Sequence, residues 1–246
     1  MRSTAPTDAT VVDAPFTWNP TVPLSRLRIG SIPAEFEPAQ PGRGRGGDTG
    51  RAGGEGRGSG EGRGRGGATS EEERRQAEER LQLLNAALEV NRNAGARLEP
   101  IQLPGLQIAS MIGFILSTEG AAAFDDLTRS PDILDPTLNT WPNTFRTHRF
   151  VPAVEYIRAQ RARTLLMREM DGLMSKYDAF ISSTSSGSLG LTNLTGHPAV
   201  ALKAGFVNNT PVEIMVTGRL YGEATMLRVA LDYERATRCH TMNPTL

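Results

Sequence analysis

The sequence runs to 246 residues with 27 basic and 27 acidic side chains, so no global field directs it to nucleic acid or to a charged membrane surface. Its lone cysteine, Cys239, excludes an internal disulfide and a cysteine-rich zinc site. His148, His197 and His240 have no ligand spacing, so neither a metal nor another cofactor is expected.

The length fits one large domain or two small ones. No apolar run approaches the roughly 20 residues needed to span a bilayer. The opening MRSTAPTDAT lacks the apolar core of a signal peptide. A soluble, cytoplasmic chain without a membrane partner is the expectation.

Residues 1–36 do not read as an independent unit. LSRLRIGSI, from Leu24 to Ile32, alternates well enough for a strand, with Leu27 and Ile29 on one face. Phe16 and Trp18 are large aromatics that need a surface to bury against. Residues 37–70 read as a low-complexity insertion. Within 41–67, 14 of 27 residues are Gly, and nothing there could offset the ordering entropy, so disorder is predicted. No Phe or Tyr is present to stack on bases, and Asp48, Glu55 and Glu61 dilute the arginines. A flexible insertion is therefore favoured over an RNA-binding segment.

Residues 71–246 read as an α/β region. A helix starts after Ser70 with three acids, carries Leu81, Leu84 and Leu88 on its apolar stripe, and ends near Gly95. RLEPIQL, from Arg97 to Leu103, is a short strand stopped by Pro104-Gly105. LQIASMIGFILSTEGAAAFDDL reads as one apolar helix from Leu106. Residues 128–152 contain four prolines and read as a long loop anchored by Trp141. The helix from Ala153 to Lys176 is expected to bury Val154, Ile157, Leu165 and Leu173. Its arginines fit a solvated face laced with helix salt bridges better than an anion site.

Ala179-Phe180-Ile181 has the unalternating apolar character of a strand buried on both faces. A long polar loop follows. Two strands around the Asn-Asn-Thr-Pro cluster then make a hairpin, since Asn tolerates positive φ and Pro cannot donate to a central ladder. Val212, Ile214 and Val216 share one face of the second strand. Beyond Gly218, Leu220, Ala224, Leu227 and Leu231 recur at helical spacing, widened by Met226, Ala230 and Tyr233, with Gly222 an acceptable cap.

PAVEYIRAQRARTLLMREMDGLMSKYDAFIS, LTNLTGHPAVALKAGF and PVEIMVTGRLYGEATMLRVALDYERAT, in this order, resemble the C-terminal half of the amidase signature family of amide hydrolases. The resemblance extends to PLSRLRIGSI, LLNAALEVNRNAGARLEPIQLP and TDATVVDAPFTW. It implies a partial amidase-signature fold, a mixed β-sheet flanked by helices, built from segments 1–36 and 71–246. It also implies that the catalytic serine, the second serine in a cis peptide and the lysine base of such enzymes would lie before residue 1. Lys176 and Lys203 do not sit where the family places its base.

The run Ser182-Ser183-Thr184-Ser185-Ser186-Gly187-Ser188 is the tempting substitute. A nucleophilic serine needs a base within hydrogen-bond reach and an oxyanion hole, and no base is evident nearby. The run reads as a polar loop, and no catalytic residue is assigned. Thr192, Asn193 and Leu194, on the loop before a strand, are the candidates for facing a substrate pocket; Asn193 satisfying loop backbone groups is the competing role.

The functional expectation is the C-terminal portion of a C–N hydrolase, inactive alone. The alternative is a non-catalytic partner or split subunit that associates with the missing N-terminal amidase half, or a homo-oligomer. An unpaired sheet edge and an uncovered apolar face would favour such pairing.

Overall fold

The computed structural model describes residues 15–38, 71–135, 137, 141–184 and 187–245. The glycine-rich stretch, the Ser70 cap, Ser185 and Ser186 lie outside these, as does nearly all of the segment before Phe16. Strand β1 (Ile29–Ser31) is followed by helix α1 (Glu71–Asn93) and strand β2 (Leu98–Pro100). Helices α2 (Leu106–Met111), α3 (Phe114–Ala123), α4 (Asp125–Arg129), α5 (Pro142–His148) and α6 (Ala153–Met174) come next. The chain continues through β3 (Ala179–Ser183), α7 (Ser188–Thr195), β4 (Ala199–Val207), β5 (Thr210–Gly218) and α8 (Glu223–Ala236).

The five strands form one mixed sheet in the order β2-β1-β3-β5-β4. β1 runs parallel to both β2 and β3, whereas β5 is antiparallel to β3 and to β4. Residues 29–31 thus occupy an interior position of the sheet although residues 32–70 separate them in sequence from α1. Val207 pairs with Thr210 across Asn208 and Asn209, whose φ values are 49° and 61°. This is the positive-φ turn that the Asn pair is suited to make.

The sheet is covered on both faces. On one, Ile29, Ile181, Leu202, Val212, Ile214 and Val216 pack with Leu84 and Leu88 of α1 and with Met226, Val229 and Tyr233 of α8. On the other, Phe180 packs with Ile115, Leu166, Met170, Leu191 and Leu194 from α3, α6 and α7. Each such side chain, fully buried, contributes about 1.5–3 kcal/mol. β3 is buried throughout, as a strand inside two helical layers must be.

Several expectations need correction. The apolar run from Leu106 is broken at Ile112-Gly113 and at Phe124 into α2, α3 and α4 rather than forming one helix. The stretch Leu106–Ala123 is apolar enough, at mean hydropathy 1.3 over 18 residues, to cross a bilayer on composition alone. The expectation of no such run overlooked it, although Ala109, Ile112, Ile115 and Ala121 pack inward.

The loop at 128–152 holds α5, with Pro142 in its first turn, where the missing N–H costs nothing. α6 is present but turned. It buries Ala159, Leu166, Met170 and Met174, while Val154, Ile157 and Leu165 are exposed and Leu173 is half-buried. More apolar residues line this helix than one face can bury, so periodicity alone does not fix its rotation. α8 buries Met226, Val229, Ala230 and Tyr233, and Leu220, which precedes it, is exposed.

The two sheet edges differ. β2 is short, exposed at Glu99 and Pro100, and ends on a residue that cannot donate. The β4 edge is flanked by the C-terminal residues: Lys203 Nζ donates to the Met242 carbonyl at 2.6 Å, and the Thr245 N–H donates to Asn209 Oδ1 at 2.9 Å.

Candidate functional site

Because β1, β2 and β3 are parallel, their carboxyl ends lie at one side of the sheet, where α/β proteins place their ligands. There the turn at Pro33–Glu35 follows β1, Gly105 leads from β2 into α2, and Thr184 and Gly187 connect β3 to α7. Glu35 Oε2 accepts the Ser183 N–H at 2.7 Å, joining the β1 and β3 exits. Leu106 stands against Gly187, which brings the start of α2 to the start of α7. Glu35 carries no motif, and only its place just after a strand could have flagged it.

The two ends of the serine run lie in regular elements and not in a loop. Ser182 and Ser183 are buried residues of β3, and Ser188 is buried at the start of α7. The Ser182 hydroxyl is fully enclosed and makes no hydrogen bond. A hydroxyl shut away from solvent and without a base cannot act as a nucleophile. Lys203 cannot activate it, since β5 separates their strands and the amine is fixed at Met242 and over the Phe206 ring, 5.3 Å from its centroid.

Thr192, Asn193 and Leu194 also sit on α7, a helix, and not on a loop. Thr192 is buried, and its hydroxyl donates to the Leu189 carbonyl at 3.1 Å. Leu194 is buried in the core, and its carbonyl accepts Arg163 Nε at 2.6 Å. Asn193 is the exposed member of the three. Arg163 thereby caps the last turn of α7, where a cation meets the helix dipole favourably. Arg158 pairs with Glu155 at 3.1 Å, in line with a solvated face on α6.

His197 lies just past α7. Its Nδ1 is 2.9 Å from Thr195 Oγ1, whose own proton goes to the Leu191 carbonyl at 3.0 Å. With that proton so placed, Nδ1 donates to Thr195 and Nε2 is left as an acceptor. Burial pushes the imidazole below its ordinary value of 6.5, against a smaller opposing pull from Asp171. Among the described residues no group of three His, Cys, Asp or Glu side chains is arranged to hold a metal.

No family profile matches the chain. Curated relatives include a glutamyl-tRNA(Gln) amidotransferase subunit from Dehalococcoides mccartyi, 28% identical over 209 residues, covering 66% of this chain and 43% of the relative. The corresponding subunit from Geobacillus thermodenitrificans is 27% identical over 213 residues, covering 69% and 44%.

Among solved structures, a bacterial aryl acylamidase of the amidase signature enzymes superposes with a TM-score of 0.54 at 16% identity, over 67% of this chain and 41% of its own. A chain from a vestigial protein complex tied to the origins of an s-triazine catabolic enzyme gives 0.54 at 17%, over 86% and 43%. The chain spans less than half the length of the curated relatives it matches. In sequence the chain is similar to these amidotransferase subunits, and its mixed α/β fold is that of amidase signature enzymes.

Proposed function

We propose that these 246 residues form the non-catalytic portion of an amidase-family C–N hydrolase. In this reading they complete the sheet and wall one side of the substrate cavity, while the serines and the lysine base come from elsewhere, either further sequence or a separate chain. The observation that carries the reading is the partial match, with only 43% of the first relative's length aligned. The enclosed Ser182 supports it, because its hydroxyl has neither solvent access nor a hydrogen-bond partner.

Residues 1–36 and 71–246 are taken as one fold interrupted at 37–70, in keeping with the interior position of β1. Thr192, Asn193 and Leu194 border the proposed cavity through α7, with Asn193 the side chain free to reach a ligand. A further clue favours association with another polypeptide: Met111, Ile157 and Leu165 are 76%, 57% and 58% exposed. Exposed apolar residues on neighbouring helices mark interaction surfaces.

The test is turnover of a generic amide. The chain alone should give none above buffer, and activity should appear when it is co-purified with a chain spanning the amidase catalytic region. Turnover by the chain alone, abolished by Ser183→Ala or Ser188→Ala, would overturn the proposal.

A further inference from the structure

At the end of the sheet away from the β1 and β3 carboxyl ends, a cavity of about 330 Å3 opens between the end of α6, the end of α7 and the turn after β5. Asp171, Met174, Ser175, His197, Arg219 and Leu220 line it. Its position follows from the register: Ala179, the first residue of β3, pairs with Gly218, the last of β5, and Arg219 comes next. The volume falls at the small end of the range for ligand sites.

The polar groups are arranged in two sets. Arg219 is tethered by Nε to the Tyr177 carbonyl at 2.6 Å and by Nη2 to Asp178 at 3.1 Å. Its Nη1 makes no hydrogen bond among the described residues, so a donor stays available on a guanidinium whose orientation is fixed. Opposite in chemistry are two acceptors. The Asp171 carboxylate has no hydrogen bond or ion pair among the described residues, although it lies close enough to act on the His197 imidazole. His197, as the Nδ1–H tautomer that its contact with Thr195 favours, offers Nε2 as an acceptor from a residue only 8% exposed. Met174 and Leu220 supply apolar wall.

We propose that this cavity binds a small zwitterion of amino-acid size. Its ammonium would be accepted by Asp171 and His197 Nε2, its carboxylate would receive Arg219 Nη1, and an aliphatic side chain would rest on Met174 and Leu220. A cation alone meets the arginine, and an anion alone meets the aspartate, so the cavity discriminates against ligands bearing a single charge. The inference is independent of the amidase reading, since none of these residues belongs to the strand-end cluster.

The experiment follows the His197 ring resonances of the full chain by NMR, assigned with His197→Gln, during titration with L-leucine, isoamylamine or 4-methylpentanoate. L-leucine should shift His197 saturably. Each singly charged analogue should bind at least about tenfold more weakly, as should L-leucine to Asp171→Asn, an exposed position whose side chain holds nothing in place. No saturable shift with L-leucine, equal binding of the amine, or unchanged affinity in Asp171→Asn would overturn the proposal. Thermal unfolding of Asp171→Asn at the wild-type temperature distinguishes lost binding from lost fold.

Discussion

The two faces of the sheet are built to different standards. Under α1 and α8 the chain closes its own core: no large apolar side chain of either helix is exposed, and Ile214, Val216 and Val229 are completely buried. On the other face the inner layer is equally dry at Phe180, Met170 and Leu191, yet the helices that form it leave apolar groups in water. Leu106, Ile108, Met111, Leu116, Val154, Ile157, Leu165 and Met167, all on α2, α3 and α6, are exposed. One face is therefore complete within these residues, and the other is complete only in its inner half. Phe16 and Trp18 repeat the pattern, stacked on each other at 6.5 Å while 49% and 41% exposed.

Substitutions separate the two faces. Ile214→Ala on the closed face should cost about 2–5 kcal/mol in denaturant unfolding, because a rigid core cannot collapse around the cavity. Gly105→Ala strikes the inner layer of the other face. Gly105 has φ 61°, and an added Cβ would collide with Leu166 of α6, so a loss of about 1–3 kcal/mol is expected by the same measurement. Leu165→Asp, on the outer side of α6, should change stability by no more than about 0.5 kcal/mol. It should nevertheless weaken association with a chain carrying the amidase catalytic region by at least about tenfold in a pull-down titration. A large stability loss from Leu165→Asp would erase the distinction between the faces.

The pH dependence is a smaller effect. His197 is held neutral by burial, so its folded pKa lies below its unfolded value near 6.5. The stability this gives is present above about pH 6.5 and is lost as pH falls, because only the unfolded chain then gains a proton readily. Unfolding midpoints measured from about pH 7.5 to about 5.5 should decline, and His197→Gln should flatten that decline.

Legibility in the sequence followed the strength of the local signal. The hairpin was readable because Asn208 and Asn209 alone fit its turn and the flanking strands are β-branched and apolar. The buried strand β3 was equally plain in Ala179-Phe180-Ile181. Helix rotation was not: α6 carries apolar residues around most of its circumference, and packing against the sheet selected Leu166, Met170 and Met174 over Val154 and Ile157. α7 was missed because Ser, Thr, Gly and Asn are modest helix formers; its helix is held by burial of Leu191 and Leu194 and by the cap from Arg163. The pocket candidates were consequently placed on the wrong kind of element. Glu35 and the Arg219–His197 cavity depend on residues far apart in sequence, and no spacing announces them.

Covalent labelling tests the central assignment most directly. The chain incubated with an active-site-directed fluorophosphonate and weighed intact should retain its unmodified mass, since the hydroxyl of Ser182 is sealed in the sheet and Lys203 is held at Met242. A stoichiometric adduct mapped to any serine between Ser182 and Ser188 would contradict the account.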